Sequence, residues 1–491
     1  MFAMIMLGLA CLLYTAMNWQ LRKFGEVTYE QILFHINVPL ASESGLVASF
    51  LQNTVLVAAL LLVLVYVLLA ARWNRPKWLA AIQKIILRYK NILAAVLLLA
   101  SLFYVLVKLN ISEIIDDYKA SSEVSDFYEK HYVDGNNVRI IKPKQKRNLV
   151  LIFVESAEAT LLRQEYRRLQ PDMMPELYKL AKENLNFSAD DDIGGSIQVD
   201  GTQWTQAGLV AQTCGIPLHL PIANHNKFLP KYGYLPKVKC LTDILREQGY
   251  NQTFLTGMEK SYAGVDRFFR SHGKPRILSW ETWKRKYNLR DQHDKIRRRV
   301  LRDEGLYIEA KNEISRLAQD KNPFAVILMT LDTHFGEEYL DEQNCHANSD
   351  QRHVNVYNCA SKKLGDFVVW LKQQPFYKNT TVVVVSDHLV MNGNIFAKNT
   401  ERWNLNIFIN PVIQKKVNRK RNFMPFDIYP TIVESMGFEI EGGRLGLGAS
   451  LLGKKATLPD KGIDNDDKFD AETSKRSLIY ERLLYGKSNK L

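Results

Sequence analysis

The feature that most constrains this chain is a set of three apolar stretches within its first 107 residues. Met1–Met17 and Gly45–Ala71 hold no charged residue, and Ile92–Val107 repeats the pattern. A bilayer core of about 30 Å requires about 20 apolar residues in a helix, so the middle stretch is long enough and the other two are short but sufficient. We therefore predict a transmembrane region of about three helices over residues 1–109. Met1–Met17 lacks the basic segment and cleavage site of a signal peptide, which favours a retained anchor.

The short loops between these stretches predict the orientation. Residues 72–90 carry six basic residues and no acid, whereas residues 18–44 carry two basic and three acidic residues. By the positive-inside rule the 72–90 loop is cytoplasmic, and the chain after Lys108 lies outside. Trp73 and Trp78 stand where aromatic residues anchor a helix at the membrane interface, which agrees with this orientation.

The cysteines give an independent indication of the compartment. Cys11 lies in the first stretch, and four more cysteines lie in the part predicted to be external: Cys214, Cys240, Cys345 and Cys359. An even number in an oxidising compartment predicts two disulfides, and closeness in sequence favours Cys214 with Cys240 and Cys345 with Cys359. Buried free thiols are the alternative interpretation.

The net charge of +13 raises the question of a nucleic-acid partner. The basic residues are scattered or lie next to the apolar stretches, and they form no stripe interleaved with aromatic residues. This distribution argues against nucleic acid and favours an anionic membrane surface as the partner.

The pattern changes after residue 147. Near-continuous apolar runs at 148–154, 324–331 and 381–386 are typical of strands buried on both faces of a parallel sheet. The stretches 174–184, 241–248 and 361–373 are predicted to be the helices between them.

We therefore expect an α/β fold, a layered domain with a mainly parallel central sheet over residues 148–453, preceded by the α-helical transmembrane region. Residues 110–147 are predicted to be a helical stalk and linker. Residues 454–491, rich in Lys, Asp and Ser, are predicted to be a loosely ordered charged tail.

A carboxylate follows each predicted strand, and a histidine accompanies it after the second and the third. Glu155 follows the first strand, Asp332-Thr333-His334 the second, and Asp387-His388 the third. Ligands of open α/β sheets gather at the carboxyl ends of the strands. A lone acid at such a position is most often a helix cap or a solvated group, but three together predict a site for a divalent metal held by Glu155, Asp387 and His388.

The segment DGTQWTQAGLVAQTCGIPLHLP, residues 200–221, offers three candidate nucleophiles: Thr202, Thr205 and Thr213. A threonine hydroxyl becomes a nucleophile when a cation lowers its pKa. Thr205 is favoured because the residues after it are small enough for a helix to start close to a substrate, and the amides at that start favour a phosphate. The alternative is that Thr205 is simply an N-cap.

Five strings in order along the chain carry a family resemblance: NLVLIFVES (148–156), GTQWTQAGLVAQTCGIPL (201–218), LDTH (331–334), NCAS (358–361) and SDHLVMN (386–392). Over residues 145–450 the chain resembles the phosphoglycerol transferases of osmoregulated periplasmic glucans. Those enzymes belong with the lipoteichoic acid synthases in the alkaline phosphatase and sulfatase superfamily. The second string is far more specific than the short SDH motif.

The resemblance implies one Mn²⁺-type ion, with Mg²⁺ or Zn²⁺ as alternatives, held by Glu155, Thr205, Asp387 and His388. It implies that Thr205 takes the phosphoglycerol group of phosphatidylglycerol as a phosphothreonine, and that a periplasmic glucan or another envelope glycan accepts the group. His334 would bind the glycerol phosphate or help to transfer protons. The implied location is the bacterial inner membrane, with the catalytic domain in the periplasm.

Two alternative functions stay open. A phosphoethanolamine transferase acting on lipid A or a glycan shares the threonine and metal chemistry, although the CGIPL string argues against it. A non-catalytic family member is the other, and the four intact site residues count against that interpretation. The sequence argues against a modified-cysteine sulfatase, because Pro217 comes one residue too late after Cys214 and no Arg follows.

The chain also departs from its relatives around the substrate. Phe335 stands where the glucan enzymes have a second histidine, and Ala263 and Val265 stand in the stretch where lipoteichoic acid synthases have a Trp and an Arg. Lys260 is interpreted as a solvated lysine, with phosphate binding as the alternative. His219 and His225 are predicted to be loop or surface histidines without a ligand role.

Overall fold

The computed structural model describes residues 2–25, 27–37, 43–70, 76–169, 172–220, 234–288, 300–336, 338–391, 395–397, 400–413, 417–464 and 466–486. The chain divides into two compact units, Met1–Tyr29 with Ser42–Asp116, and Glu30–Ala41 with Asp117–Leu491. The division of the chain at 109, 147 and 453 stays a prediction.

The N-terminal helices include the predicted apolar stretches. They are α1 (Phe2–Phe24), α2 (Tyr29–Asn37), α3 (Glu43–Phe50), α4 (Leu56–Ala70), α5 (Lys77–Arg88), α6 (Lys90–Lys108) and α7 (Ile111–Ala120), and a π-helical turn joins α3 to α4. In the described part of the chain, three helical segments are long and apolar enough to cross a membrane: Phe2–Phe24, Val47–Leu68 and Lys90–Lys108. This confirms the predicted number of spans by length and composition.

Within the described part of the second unit, seven strands form one sheet with the order β3-β8-β7-β2-β6-β4-β5. The strands of the unit are β1 (Ile140–Ile141), β2 (Asn148–Val154), β3 (Gly195–Ser196), β4 (Asn251–Thr256), β5 (Arg276–Leu278), β6 (Phe324–Met329), β7 (Thr380–Ser386), β8 (Asn404–Ile409), β9 (Glu439–Ile440), β10 (Arg444–Leu445) and β11 (Gly448–Ala449). The pairs β7–β2, β2–β6, β6–β4 and β4–β5 are parallel, whereas β8 is antiparallel to β7 and β3 to β8. The predicted α/β fold with a mainly parallel sheet is confirmed.

Helices cover both faces of the sheet. They are α8 (Phe127–His131), α9 (Gln164–Leu169), α10 (Pro175–Glu183), α11 (Thr205–Cys214), α12 (Leu241–Glu247), α13 (Val265–Ser271), α14 (Trp280–Lys286), α15 (Asp303–Leu317), α16 (Arg352–Lys372), α17 (Ile428–Ser435), α18 (Asp466–Thr473) and α19 (Leu478–Tyr485). Alternate residues of β2 enter two separate cores: Leu151 and Phe153 pack with residues of α11, α12 and α17, and Ile152 packs with residues of α10, α15 and α16. Burial on both faces explains why the strand lacks polar alternation.

One predicted helix is longer than expected. The helices predicted at 174–184 and 241–248 are α10 and α12, within one residue at each end. The helix predicted to start at Ser361 starts at Arg352 instead. Polar residues dominate its first turns (RHVNVYN), so the apolar periodicity that signals a helix is weak there.

The linker and the tail are more ordered than predicted. Phe127 and Tyr128 of α8 are buried; Phe127 packs edge-on against Phe469 of α18, and Tyr128 stacks on Tyr480 of α19. The prediction of a loosely ordered tail is therefore wrong for α18 and α19, and α8, which lies within the predicted linker, packs against both of these helices. The Lys, Asp and Ser content of the tail outweighed its few buried apolar side chains, which are Phe469 in α18 and Tyr480, Leu483 and Leu484 in α19.

Candidate active site

Two adjacent parallel strands place Glu155 and Asp387 side by side. Val154 at the end of β2 pairs in register with Ser386 at the end of β7, so the two acids that follow lie at the same level of the sheet edge. Ligand atoms of Glu155, Asp387 and His388 all lie within 4.8 Å of one another, and all three side chains are buried. The His388 Nε2 atom is 3.5 Å from Glu155 Oε1 and 3.4 Å from Asp387 Oδ2.

Hydrogen bonds from Ser156 fix the two carboxylates. Ser156 has a φ of 53°, a left-handed conformation that turns the chain at the end of β2. Its N–H donates to Asp387 Oδ1 at 2.9 Å and its hydroxyl donates to Glu155 Oε1 at 2.8 Å. The His388 N–H also donates to Asp387 Oδ1, at 2.9 Å. One oxygen of each acid is thereby satisfied.

The other two carboxylate oxygens fit a cation. Glu155 Oε2 and Asp387 Oδ2 are buried without a hydrogen-bond partner among the described residues. Burial, with the charge of Asp387 adding to it, raises the pKa of Glu155 well above its usual range. A divalent cation would satisfy both orphaned oxygens and remove this cost, so the donor set fits such an ion.

His388 presents the correct nitrogen for a ligand. Its Nδ1 lies 2.7 Å from the carbonyl oxygen of Leu389. A carbonyl only accepts hydrogen bonds, so Nδ1 carries the proton and the lone pair is on Nε2, which faces Glu155 and Asp387. The three side chains therefore form a buried group that is able to hold a divalent metal.

Helix α11 packs its first turns against this group. A Cβ added to Gly208 would lie 1.9 Å from the Asp387 carbonyl oxygen, and Gln212 Nε2 donates to the Ser386 carbonyl at 2.7 Å. Thr205, Gly208 and Gln212 are spaced three and four residues apart and so share one face of the helix. Thr205 thus lies on the face of α11 that packs on the end of β7.

The three candidate threonines differ in their bonding. The Thr202 hydroxyl donates to the Val199 carbonyl at 2.6 Å, and the Thr213 hydroxyl donates to the Leu209 carbonyl at 2.6 Å. The hydroxyl of Thr205 makes no hydrogen bond within the described residues. Thr205 is the first residue of α11 and Trp204 is its N-cap, so the N-cap interpretation of Thr205 is wrong.

His334 lies in the turn after β6. The neighbouring Thr333 hydroxyl donates to the Glu155 carbonyl at 2.5 Å, which ties this turn to the end of β2. His334 Nδ1 is 2.9 Å from the Phe335 carbonyl oxygen, and its Nε2 is 3.4 Å from the Tyr262 hydroxyl. Lys260, on the same loop as Tyr262, is exposed, which agrees with its interpretation as a solvated lysine.

Asp332, the acid predicted at the end of the second strand, belongs to a different network. It pairs with the buried Lys363 at 3.3 Å, and Lys363 also pairs with Asp341 at 3.0 Å. Asp303 accepts hydrogen bonds from the N–H groups of Leu331 and Asp332, at 2.8 and 3.1 Å. Burial and the charge of Asp332 raise the pKa of Asp303 to about 8. This network holds the turn that carries His334.

A buried ion pair between Glu158 and Arg402, which the sequence did not predict, supports the turn on the other side of the site. Glu158, fully buried, pairs with Arg402 and accepts the Val390 N–H at 2.6 Å. Gln198 Oε1 accepts the Leu389 N–H at 2.8 Å. These contacts fix the turn that follows Asp387 and His388. The only signal in the sequence is that Glu158 follows Glu155 by three residues in the same strand-end loop.

The remaining predictions concern the cysteines outside the apolar stretches and the histidines His219 and His225. Both predicted disulfides are confirmed, Cys214–Cys240 and Cys345–Cys359, and the first links the end of α11 to the start of α12. His219 lies in the loop after α11, as predicted, but it is not a surface residue, because it is 4% exposed and pairs with Glu30. His225 lies outside the described residues.

Comparisons with known proteins identify the family of the domain that contains this site. A family model described as Sulfatase matches residues 147–438. Phosphoglycerol transferase I of Shigella flexneri is 31% identical over 324 residues, which cover 63% of this chain and 39% of the relative, and the enzyme of the same name from Escherichia coli gives the same figures. The chain thus spans about two fifths of the length of the curated relatives it matches.

Among solved structures, the integral membrane lipooligosaccharide phosphoethanolamine transferase A of Neisseria meningitidis superimposes with a TM-score of 0.50 at 14% identity, covering 89% of this chain and 84% of that one. At that identity the likeness concerns the fold alone. The family match extends over more than half of the chain and contains the strand ends, α11 and the Asp387-His388 turn. The chain therefore belongs to the sulfatase family.

Proposed function

We propose that this chain is a membrane-anchored phosphoglycerol transferase that moves glycerol phosphate from phosphatidylglycerol to a periplasmic glycan. The observation that carries the proposal is the Thr205 hydroxyl, which is free of hydrogen bonds within the described residues and lies on the face of α11 packed against Asp387. The relatives named phosphoglycerol transferase I support the choice of group transferred.

Glu155, Asp387, His388 and Thr205 would hold the metal. Manganese is proposed from the family resemblance, although oxygen and imidazole ligands also accept Mg²⁺ and Zn²⁺. When bound, a divalent cation lowers the pKa of a hydroxyl ligand and neutralises charge on a phosphate.

The chain's own residues then carry the transfer. The Thr205 Oγ attacks the lipid phosphorus and loses its proton, the bond from phosphorus to the diacylglycerol oxygen breaks, and that oxygen takes up a proton. A hydroxyl of the acceptor next attacks the phosphothreonine and regenerates Thr205. The amide groups at the start of α11 stabilise the negative charge on the phosphoryl oxygens, because the first amides of a helix have no partner within it. His334 holds the glycerol phosphate or exchanges protons at the attacking and leaving oxygens.

The proposed arrangement places the catalytic domain, residues 148–453, in the periplasm of a bacterial inner membrane. The donor is then drawn from the same membrane that the three apolar helices would cross. A periplasmic glucan is the proposed acceptor, with other envelope glycans as the wider class.

Release of diacylglycerol from defined vesicles tests the donor half of this proposal. The purified protein with Mn²⁺ should release diacylglycerol from phosphatidylglycerol vesicles, and Thr205→Ala should abolish the release without unfolding. Thr202→Ala is the matched control: it removes a hydroxyl that, among the residues described, bonds only to Val199, so it should lower stability and keep the release. Activity that survives Thr205→Ala would refute the nucleophile, and release from phosphatidylethanolamine alone would assign the phosphoethanolamine alternative.

A further inference from the structure

Helix α2 lies outside the range matched by the sulfatase model, yet it is packed into the same unit as the site. Glu30 and Phe34 on this helix are both 0% exposed. They are four residues apart, so they share one face of α2. That face contacts the segments on either side of α11.

Phe34 contacts Trp204, directly before α11, and also Tyr234, which follows α11 in the chain. Its ring centroid lies 6.1 Å from that of Trp204 and 6.5 Å from that of Tyr234. Trp204 is 2% exposed and is the N-cap of α11, directly before Thr205. A shift of Phe34 would therefore displace Trp204, the N-cap of α11.

Glu30 contacts the segment after α11. Its carboxylate pairs with the Nδ1 of His219, five residues beyond the end of the helix at Cys214. The Tyr480 hydroxyl accepts the His219 N–H at 2.7 Å and lies 2.8 Å from the Pro217 carbonyl oxygen, so this segment is held in place. Burial opposes protonation of His219, but Glu30 outweighs it and raises the pKa of His219 to about 9.

A buried ion pair is a poor way to gain stability, because desolvation of the two charges offsets most of their attraction. It is, however, geometrically demanding, since a charge displaced from its partner is left uncompensated. The Glu30–His219 pair therefore fixes the position of α2 against the segment after α11, and it contributes little to the free energy of unfolding.

We propose that α2 is a strap over the start of α11, where the Leu218 N–H of the segment after the helix donates to the Gly201 carbonyl of the segment before it. In this proposal Glu30, His219 and Phe34 are positioning residues that hold the Thr205 hydroxyl in place. The inference rests on the proposed function, because it assigns the strap to the reaction of Thr205. In this proposal the reaction of Thr205 also depends on a helix that lies outside the range matched by the family model.

The first test removes the charge of each partner with Glu30→Gln, His219→Gln and the double variant. The kcat for diacylglycerol release should fall by about 10-fold to 100-fold with little change in KM, because misplacement of a reacting atom by about 1 Å costs rate of this size. The double variant should lose no more than either single variant, since both remove one interaction. Hydrogen exchange of the amides of residues 205–210 should become faster in all three.

The matched control is Glu313→Gln on α15. Glu313 is a buried glutamate whose partners are Arg316, Arg276 and Thr253, none of which lies at the site. This variant should lower the melting temperature and leave both kcat and the exchange of residues 205–210 unchanged. Should Glu30→Gln fail to fold, Phe34→Leu tests the other contact of the strap by the same two readouts.

The pair also predicts a pH dependence. Among the described residues, the charges that act most on His219 are those of Glu30, Asp117 and Asp200, and the Tyr480 hydroxyl contacts its backbone. Because the pKa of His219 is raised from 6.5 to about 9, the contribution of the pair is complete below the lower value and is lost as pH rises through the higher one. Exchange protection of residues 205–210 should fall over this window in the wild type and stay flat in Glu30→Gln.

Unchanged kcat and unchanged exchange in folded Glu30→Gln and Phe34→Leu would overturn the strap. A wild-type protein that releases diacylglycerol from no lipid would instead refute the proposed function. The exchange measurement still decides whether α2 orders the start of α11 in that case, so the two failures are distinguishable.

Discussion

Gly208 is the residue whose size most directly controls the site. Its Cα faces the Asp387 carbonyl so closely that a methyl group would lie 1.9 Å from that oxygen. Alanine normally stabilises a helix interior by about 1 kcal/mol relative to glycine. Here it must move α11 away from β7, and Thr205 moves with it.

Gly208→Ala should therefore reduce diacylglycerol release by about 100-fold or more, the scale expected for a displaced reacting atom. Gly453→Ala is the matched control, because the nearest atom to its added Cβ is 3.5 Å away, an ordinary contact. The two variants are compared by steady-state release and thermal melting. Full activity of Gly208→Ala would show that the contact between α11 and Asp387 does not set the position of Thr205.

Metal binding should increase the free energy of unfolding. Removing the metal leaves Glu155 Oε2 and Asp387 Oδ2 buried without a partner among the described residues. Adding Mn²⁺ at 100 times its Kd to metal-stripped protein should raise the free energy of unfolding by about 2.7 kcal/mol. Glu155→Gln should lose most of this increment, and Glu313→Gln should keep it. An equal increment in Glu155→Gln, measured by denaturant unfolding, would place the ion elsewhere.

The residues of the site differ in how far the sequence could predict them. Glu155, Asp387 and His388 directly follow buried strands, so the parallel arrangement of those strands is enough to bring them together. Asp303 and Lys363 could not be predicted, because they meet Asp332 only through the packing of α15 and α16 on the sheet. Likewise, nothing in the sequence links Glu30 to His219.

Helix α16 carries Lys363, the buried cation that pairs with the acid next to the turn of His334. Lys363 is buried between Asp332 and Asp341, whereas its neighbour Lys362 makes an exposed ion pair with Asp366. The two adjacent lysines on one helix thus allow a direct comparison of a buried and an exposed ion pair.

Lys363→Met should lower the free energy of unfolding by about 3–5 kcal/mol, because it leaves buried acids without their cation. Lys362→Met should change it by about 0.5 kcal/mol or less. Denaturant unfolding measures both, and diacylglycerol release should fall only in Lys363→Met, since the turn carrying His334 loosens. Equal small effects would mean that Asp332 and Asp341 are neutral or hydrated in the folded protein.

Whole elements were predicted where one physical signal dominated. The strands β2, β6 and β7 are apolar on both faces, so the sequence was enough to predict them. The three N-terminal apolar stretches are too long for ordinary core helices, so they were predicted to cross a membrane. Helices α18 and α19 were missed because the Lys, Asp and Ser content of the tail as a whole outweighed the apolar residues of α19 and the single phenylalanine of α18, although Phe469 and Leu483 are buried. The short helix α2 was missed since its nine residues carry no distinctive period.

For the molecule as a whole, the orientation in the membrane is the open prediction. Helix α5 carries Lys77, Lys84 and Arg88 along one side and Trp78 and Ile82 on another, a pattern typical of a helix lying on an anionic membrane surface. The net charge of +13 agrees with such a partner. The basic loop is therefore expected on the cytoplasmic side and the catalytic unit outside.

Thiol labelling in whole cells tests this orientation. In a Cys11→Ala background, a cysteine in place of Lys260 should react with a membrane-impermeant maleimide added to cells with a permeabilised outer membrane. A cysteine in place of Gln83 on α5 should react only after the inner membrane is lysed. Lys260 is exposed, so its labelling reports the compartment and not burial. The reverse pattern would contradict the positive-inside assignment and the periplasmic reaction together.

The most direct test of Thr205 as the nucleophile is the intact mass of the protein after incubation with Mn²⁺ and phosphatidylglycerol. A covalent intermediate predicts a single added glycerophosphoryl group on the wild type and on Thr202→Ala, mapped by peptide fragmentation to Thr205, and none on Thr205→Ala. An adduct of the same mass on Thr205→Ala, or one mapped to another residue, would contradict the assignment.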